Sequence, residues 1–544
     1  MIGKVTSVML CAVLMAAPAF AAADAPVADA VQHGNTEALR SLLGQQADVN
    51  APQNDGMTAL HWAAYTEDVE AAKLLLEAGA GVTTTTRNGG ITPLMMASAT
   101  GNASIIEALI EAGANPNATG GDGATPLMRA AVAGKSDAIS VLLGYGADPN
   151  ARTATNGQTA LMMASAENRA EAVTMLAAHG ANLAATTKVV SLKVDAVSED
   201  GTTITAGVNN RTATGGVAAM GGMTALLFAA RDGQLDAVRA LLAAGSDVNQ
   251  VSESDRSSPL VIAIGNGHYD LGQFLLDHGA DPNLKNTYGL APLYATIDMQ
   301  YAPVSWAPNP LTDQERVRHI ELMKALLDAG ADPNARLVVK LWFRPTSHDQ
   351  LWVDTAGSTA FWRAAQATDV PAMRLLVAFG ADPTISTTAG TTPLMVAAGI
   401  GFNGNFSQHA DAWREAVDYC LELGIDLQAA DAEGYTALHG AAYRGDNELV
   451  KFLVSIGAGL DARTARGWSV TDMANAPSLR SSVPLAHPDT VALLEELGAP
   501  DLTALEGETI LGSGTRARKP RRRVESSNPV APSTGSSPTT TKRR

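Results

Sequence analysis

Two kinds of short apolar burst alternate along this chain. The first is compact and alanine-rich, as in Thr125-Pro126-Leu127-Met128-Arg129-Ala130-Ala131, where the threonine can cap a helix and the proline takes a first-turn position that needs no N–H. The second is amphipathic. Leu235, Val238, Leu241 and Leu242 fall at i, i+3, i+6 and i+7, which gathers them on one helical stripe. Gly134 breaks the chain between two such helices, and Gly245 stops a second helix in the manner of a left-handed C-terminal cap. The pattern predicts a helix–turn–helix unit whose apolar stripe one copy cannot bury alone.

The unit repeats. Its box begins at Thr58, Thr92, Thr125, Thr159, Thr224, Ser258, Ala291, Thr359, Thr392, Thr436 and Ser469, and seven of the ten intervals are 33 or 34 residues. The stop glycine returns at Gly79, Gly113, Gly146, Gly180, Gly279, Gly330, Gly380 and Gly457. A second glycine stands two residues before ten of the eleven boxes, where a turn enters the next unit; only Arg256 departs. Such a period predicts stacked supersecondary units in place of one globular core. The expected fold is an all-α solenoid over residues 24–500.

These motifs resemble the ankyrin repeat, whose Thr-Pro-Leu-His-x-Ala-Ala box is matched by Thr58-Ala59-Leu60-His61-Trp62-Ala63-Ala64 and by Thr436-Ala437-Leu438-His439-Gly440-Ala441-Ala442. Most copies carry Met, Phe or Leu in place of the histidine, and Trp362 takes that slot in the Thr359 unit, where it is expected to be buried under an enlarged loop. A half-unit from Ala28 to Leu43 opens the array, and the Ser469 unit lacks the Pro-Leu core, as end units with an unpartnered face require. The resemblance implies about eleven repeats plus the half-repeat. It also implies that His61 and His439 tie helix starts to neighbouring backbone, and that a concave groove of first helices and loop tips binds folded domains or peptides without chemistry. By the family's usual contact positions, Tyr65 and Gln366 would contribute.

The two ends are of another character. Lys4, an apolar run from Val8 to Ala17 and the small residues Ala19 to Ala23 read as a secretory signal peptide over residues 1–21, with cleavage after Ala21 or Ala23. The run is too short for a permanent membrane span. A periplasmic or secreted protein, expected to be monomeric, follows. Residues 501–544 form a Pro/Ser/Thr-rich tail with nine Lys/Arg from Arg516 onward against Glu525 alone, so the formal charge of −17 conceals a strongly acidic body. The tail is expected to be disordered. Behind a signal peptide, attraction to an anionic envelope surface or to the acidic body fits it better than nucleic acid, and a purely solubilising tail fits equally well. Outside the signal only Cys420 remains, which excludes an intramolecular disulfide and suits a buried small hydrophobe.

The irregular intervals mark insertions at about 184–221, 299–313, 337–354 and 401–411. In the first, Lys188–Val194 and Thr202–Val208 are β-branched runs flanking Glu199-Asp200-Gly201, which predicts a β-hairpin finger. The others are aromatic: 13 of the chain's 25 aromatics lie between Tyr288 and Trp413. Tyr301, Trp306, Trp342, Phe343 and Trp352 are therefore expected as partner-binding anchors, with packing over their own helices the alternative. The ten histidines show no His-Glu-x-x-His and the serines no Gly-x-Ser-x-Gly, and the aspartates before proline (Asp148, Asp281, Asp332, Asp382) suit turns better than acid catalysis. No catalytic residue, cofactor or metal is expected. The reading is a non-catalytic protein-interaction scaffold of the cell envelope; envelope-glycan binding and a secreted effector or inhibitor are the alternatives.

Overall fold

The computed structural model describes residues 25–191, 193–197, 203–207, 219–302, 312–339, 353–401, 412–475 and 486–500. The expected signal peptide, the basic tail, the hairpin turn at 198–202 and four of the five loop aromatics, Trp306, Trp342, Phe343 and Trp352, lie outside the described residues. Among those described there are 24 α-helices, arranged in pairs along the chain. Within a pair the two helices pack on each other; between pairs, first helix packs on first helix and second on second. The segment read as a half-unit is a complete pair, Pro26–Gln32 and Thr36–Gly44, in which Pro26 at the first turn and the Asn35 side chain supply the starts that the box supplies elsewhere.

Each box residue does the work its chemistry allows. Thr92, Thr125, Thr159, Thr224, Thr359 and Thr392 accept the N–H of the residue three further on. The family's histidine adds a reciprocal bond: His61 Nδ1 lies 2.8 Å from Thr58 Oγ1, and its Nε2 lies 3.0 Å from the Ile91 carbonyl of the next unit. Where the histidine is replaced the contact is rebuilt with other atoms. Met128 and Met395 offer sulfur to the box N–H at 3.4 Å, Asp472 offers a carboxylate oxygen at 2.8 Å, and Trp362 donates Nε1–H to the Thr391 carbonyl at 3.0 Å. Trp362 is fully buried and makes the cross-unit bond that His61 makes elsewhere.

Burial strips the two box histidines of hydration. It pushes the His439 imidazole down to about 4 and shifts His61 in the same direction, in each case against the backbone carbonyls nearby. The folded protein therefore binds fewer protons than the unfolded chain from about pH 6.5 down to about pH 4, so this stability is complete above that window and is lost as pH falls through it. For His439 the loss is roughly 3 kcal/mol. Urea midpoints measured above and within the window should separate for the wild type and converge for a His61→Met, His439→Met variant, because methionine already fills this slot in other units.

The loop tips are joined by a second device. Asn50, Asn117, Asn150, Asn249, Asn283 and Asn334 each donate Nδ2–H to the stop-glycine carbonyl of the following unit and accept an N–H two residues beyond it, with Asn334 at 3.0 Å from the Gly380 oxygen and 2.7 Å from the Asp382 nitrogen. The repeated aspartates accept a nearby backbone N–H, as Asp148 does from Asn150 at 2.8 Å. They are turn formers. On the back of the array, cations lie over aromatics of the next unit, Arg239 on Phe274, Arg374 on Tyr419 and Arg414 on Phe452.

The glycine before the box is required by space as well as by φ. At Gly56, with φ of +86°, a Cβ would sit 2.6 Å from the Arg87 nitrogen, which donates to Asp55. Arg256 occupies the same point of its turn at φ of +61°, a left-handed conformation that costs a side-chain-bearing residue roughly 1–2 kcal/mol. Arg256→Gly should raise stability by about 0.5–1 kcal/mol after the entropy glycine adds to the unfolded chain, read as a higher urea midpoint.

The first insertion contains the expected hairpin. Strand β1 (Val190–Ser191) pairs with β4 (Ala219–Met220), and β2 (Lys193–Val197) pairs antiparallel with β3 (Thr203–Gly207), Val197 opposite Thr203. The register centres on Asp200, a single residue, so it does not fit a two-residue turn over Asp200-Gly201.

Candidate functional site

The first helices line one face of the array, and its character changes halfway along. In the Thr58, Thr92, Thr125 and Thr159 units each first helix leaves the same two positions at least partly exposed: Trp62 and Tyr65, Met96 and Ala99, Arg129 and Val132, Met163 and Ala166. Both positions lie one face away from the Ala-Ala pair that packs between helices. Tyr65 is 51% exposed and Val132 36%, and the Trp62 and Tyr65 rings meet edge to face at 5.8 Å. The strip continues to Ile262 in the Ser258 unit, while Phe228 is buried beneath Arg231, whose guanidinium lies 4.8 Å from its ring.

From the Ala291 unit onward the same face is closed. Residues Pro292–Met299 are buried, as is every residue of the helices Ala360–Ala367 and Pro393–Ala397. This corrects two expected contact residues. Tyr301 is 6% exposed and Gln366 5%, so neither presents a side chain to a partner; Tyr301 belongs to the packed joint between the Ala291 and Thr359 units. Tyr65 is open on the groove. The remaining four, Trp306, Trp342, Phe343 and Trp352, are outside the described residues.

That joint holds a buried polar network. Arg363 donates Nε–H to Asp298 Oδ1 at 2.9 Å and Nη2–H to the Tyr301 carbonyl at 2.8 Å. The Tyr301 hydroxyl donates to Asp369 Oδ2 at 2.9 Å, and His319 Nε2 lies 2.8 Å from the same oxygen. Asp369 also caps the helix Val370–Ala378 by accepting the Ala372 N–H. Burial alone would raise the Asp369 carboxyl, but bonds from His319, the Ala372 N–H and Tyr301 outweigh it and hold the group below the usual carboxylate range. Burial, then the Asp369 charge, pushes the Tyr301 phenol well above its ordinary value. A hydroxyl held that firmly protonated, with its proton committed to a carboxylate, is a structural strut. Cys420 is fully buried and its thiol is pushed up by lost hydration, so it packs as a small hydrophobe. No group of three His, Cys, Asp or Glu among the described residues could hold a metal ion.

Stacked helix pairs, first helix on first and second on second, define an α-solenoid. The chain belongs to the ankyrin repeat family: a family model that spans three ankyrin repeats matches four segments, residues 27–120, 116–187, 201–286 and 361–464, more than half of the chain. It is 27% identical over 279 residues to the E3 ubiquitin-protein ligase KEG of Arabidopsis thaliana, covering 45% of this chain and 15% of that protein. It is 26% identical over 226 residues to alpha-latrocrustotoxin-Lt1a of Latrodectus tredecimguttatus, 41% of this chain and 14% of the toxin. With the human ankyrin repeat domain-containing protein 63 it shares 29% identity over 205 residues, 37% of this chain and 44% of that protein. The chain thus spans less than half the length of each of these relatives. Ankyrin arrays typically serve as protein-interaction modules.

Proposed function

We propose that the chain is a non-catalytic adaptor of the cell envelope that holds a partner protein in the open half of its groove, from Trp62 to Ile262. The observation that carries this reading is the contrast along one face: the same helix positions are open and largely apolar in the first units and closed from the Ala291 unit onward. An apolar strip bordered by polar loop tips is the surface composition of a recognition site. Met96 and Met163 suit it, because flexible thioethers adapt to an incoming side chain. The envelope location rests on the apolar run Val8–Ala17 and the Ala-x-Ala sites after it; no helix of the described residues is long and apolar enough to cross a membrane. The basic tail would add a weak hold on an anionic envelope surface.

A photo-crosslinkable residue placed at Tyr65 or Val132 should give one adduct in envelope fractions, and the same residue at Tyr145, on the second-helix side, should give none. Adducts only from Tyr145, or a protein that fractionates with the cytoplasm and retains residues 1–21, would overturn the corresponding half of the proposal.

A further inference from the structure

Charge is divided between the two faces of the array. The second helices Val69–Glu77, Ala103–Glu111, Ser136–Gly144 and Ala170–Ala178 carry Glu70, Glu77, Glu107, Glu111, Asp137 and Glu171 against Lys73 alone. The groove side of the same units is cationic. Arg87, Arg152 and Lys188 stand on the loop tips, Lys135 and Arg169 on the turns that end the first helices, and all five are exposed. They border the groove along both edges, with Met96, Arg129, Val132 and Met163 between them.

These five cations are placed by neutral partners. Arg87 Nη1 donates to the Asn54 carbonyl at 2.9 Å, Arg152 to the Thr186 carbonyl, Lys188 to the Ala154 carbonyl and Arg169 Nε to the Val132 carbonyl at 3.0 Å. The Lys135 stem lies along Gly101, where a Cβ would come within 2.6 Å of its Cδ. None of the five makes an ion pair among the described residues. Between Arg87 and Lys188 the carboxylates on this side are Asp122, committed to Arg129 at 2.5 Å, and Glu167, with Glu253 just beyond accepting from Thr186; the Thr58 unit at the end of the groove adds Asp55, Glu67 and Asp68. A chain whose body is strongly acidic therefore keeps a net positive frame around the floor of the Thr92, Thr125 and Thr159 units.

Resting on the groove reading above, we propose that the partner is an acidic polypeptide segment: aliphatic or aromatic anchors that enter the floor at Trp62, Tyr65, Met96, Val132 and Met163, flanked by aspartates or glutamates that meet Arg87, Lys135, Arg152, Arg169 and Lys188. Rim charges of this kind set orientation and association rate, and the acidic back rejects the same ligand. The apolar floor separates a polypeptide from an anionic glycan, which would need the cations and leave the floor unused.

A random linear peptide library displayed on phage and selected on the full chain tests this. Enriched peptides should combine carboxylates with large apolar residues, and should lose about tenfold in affinity on Arg87→Glu, Lys135→Glu and again in high salt. They should also lose affinity on Tyr65→Ala, Met163→Ala, with circular dichroism confirming that both variants fold. Enriched peptides that need the floor but are basic or uncharged, and ignore the rim variant, would overturn the acidic partner and leave the groove reading in place. Peptides insensitive to the floor variant, or no enrichment, would overturn both. Heparin binding that needs the rim and ignores the floor would reassign the cations to polyanions and overturn the proposal.

Discussion

Trp362→Ala is expected to cost about 3–5 kcal/mol, in the range for removing a fully buried aromatic side chain. Trp362 fills the space between the Thr359 and Thr392 units and ties them through the Thr391 carbonyl. In a solenoid each unit contacts its neighbours alone, so the loss should appear as decoupling at that joint. Native-state hydrogen exchange should show accelerated exchange in Pro393–Ala397 and Ala360–Ala367, with the Thr92 and Thr125 helices unchanged. Trp362→His, which can restore the kind of cross-unit carbonyl bond that His61 makes to Ile91, should recover part of the loss and leave a cavity. A cost below about 1 kcal/mol for the alanine variant would mean that the joint does not depend on this ring.

Arg363→Ala is the second large effect, again about 3–5 kcal/mol, because it leaves Asp298 in a buried site without its guanidinium. The free pair is not worth that much; the cost is that of a buried carboxylate losing its guanidinium. Arg363→Met combined with Asp298→Leu should therefore recover most of the stability, since a buried ion pair and a packed apolar pair are often near balance. Urea unfolding of both variants distinguishes the two contributions. If the single and double variants are equally unstable, the network acts through shape instead of charge.

The repeats were legible because each unit writes its own start and stop: a Thr or Ser that caps, a proline that tolerates the first turn, a glycine that takes positive φ. Arg256, the one departure among these, marks the one unit whose entry turn carries a side chain in the left-handed region. The hairpin was legible from its β-branched runs, although the register does not fit the two-residue turn that Asp-Gly suggested. The opening pair was under-read because it lacks the box and begins on Pro26 instead.

Tyr301 and Gln366 were misread for a different reason. Whether a residue beside the Ala-Ala pair is open depends on what closes over the face, and its partners lie far away in sequence: Tyr301 meets Asp369, and Arg363 meets Asp298, across more than sixty residues. A signal existed. Asp298 inside the apolar helix Pro292–Gln300 needs a buried cation, and Arg363 stands in an otherwise alanine-rich helix. The rim of the groove was hidden by the net charge of −17, which sums an acidic back and a cationic front into one number.

Hydrogen exchange of the full chain with and without its crosslinked partner, purified as the complex, tests the central claim most directly. The groove account predicts slowed exchange in the loop tips and first-helix ends of the Thr58 to Ser258 units, around residues 53–57, 86–91, 120–124, 131–135 and 165–169, with no change in Ala360–Ala367. Protection confined to the second helices Val69–Glu77 and Ala103–Glu111, or to the units beyond Ala291, would contradict it.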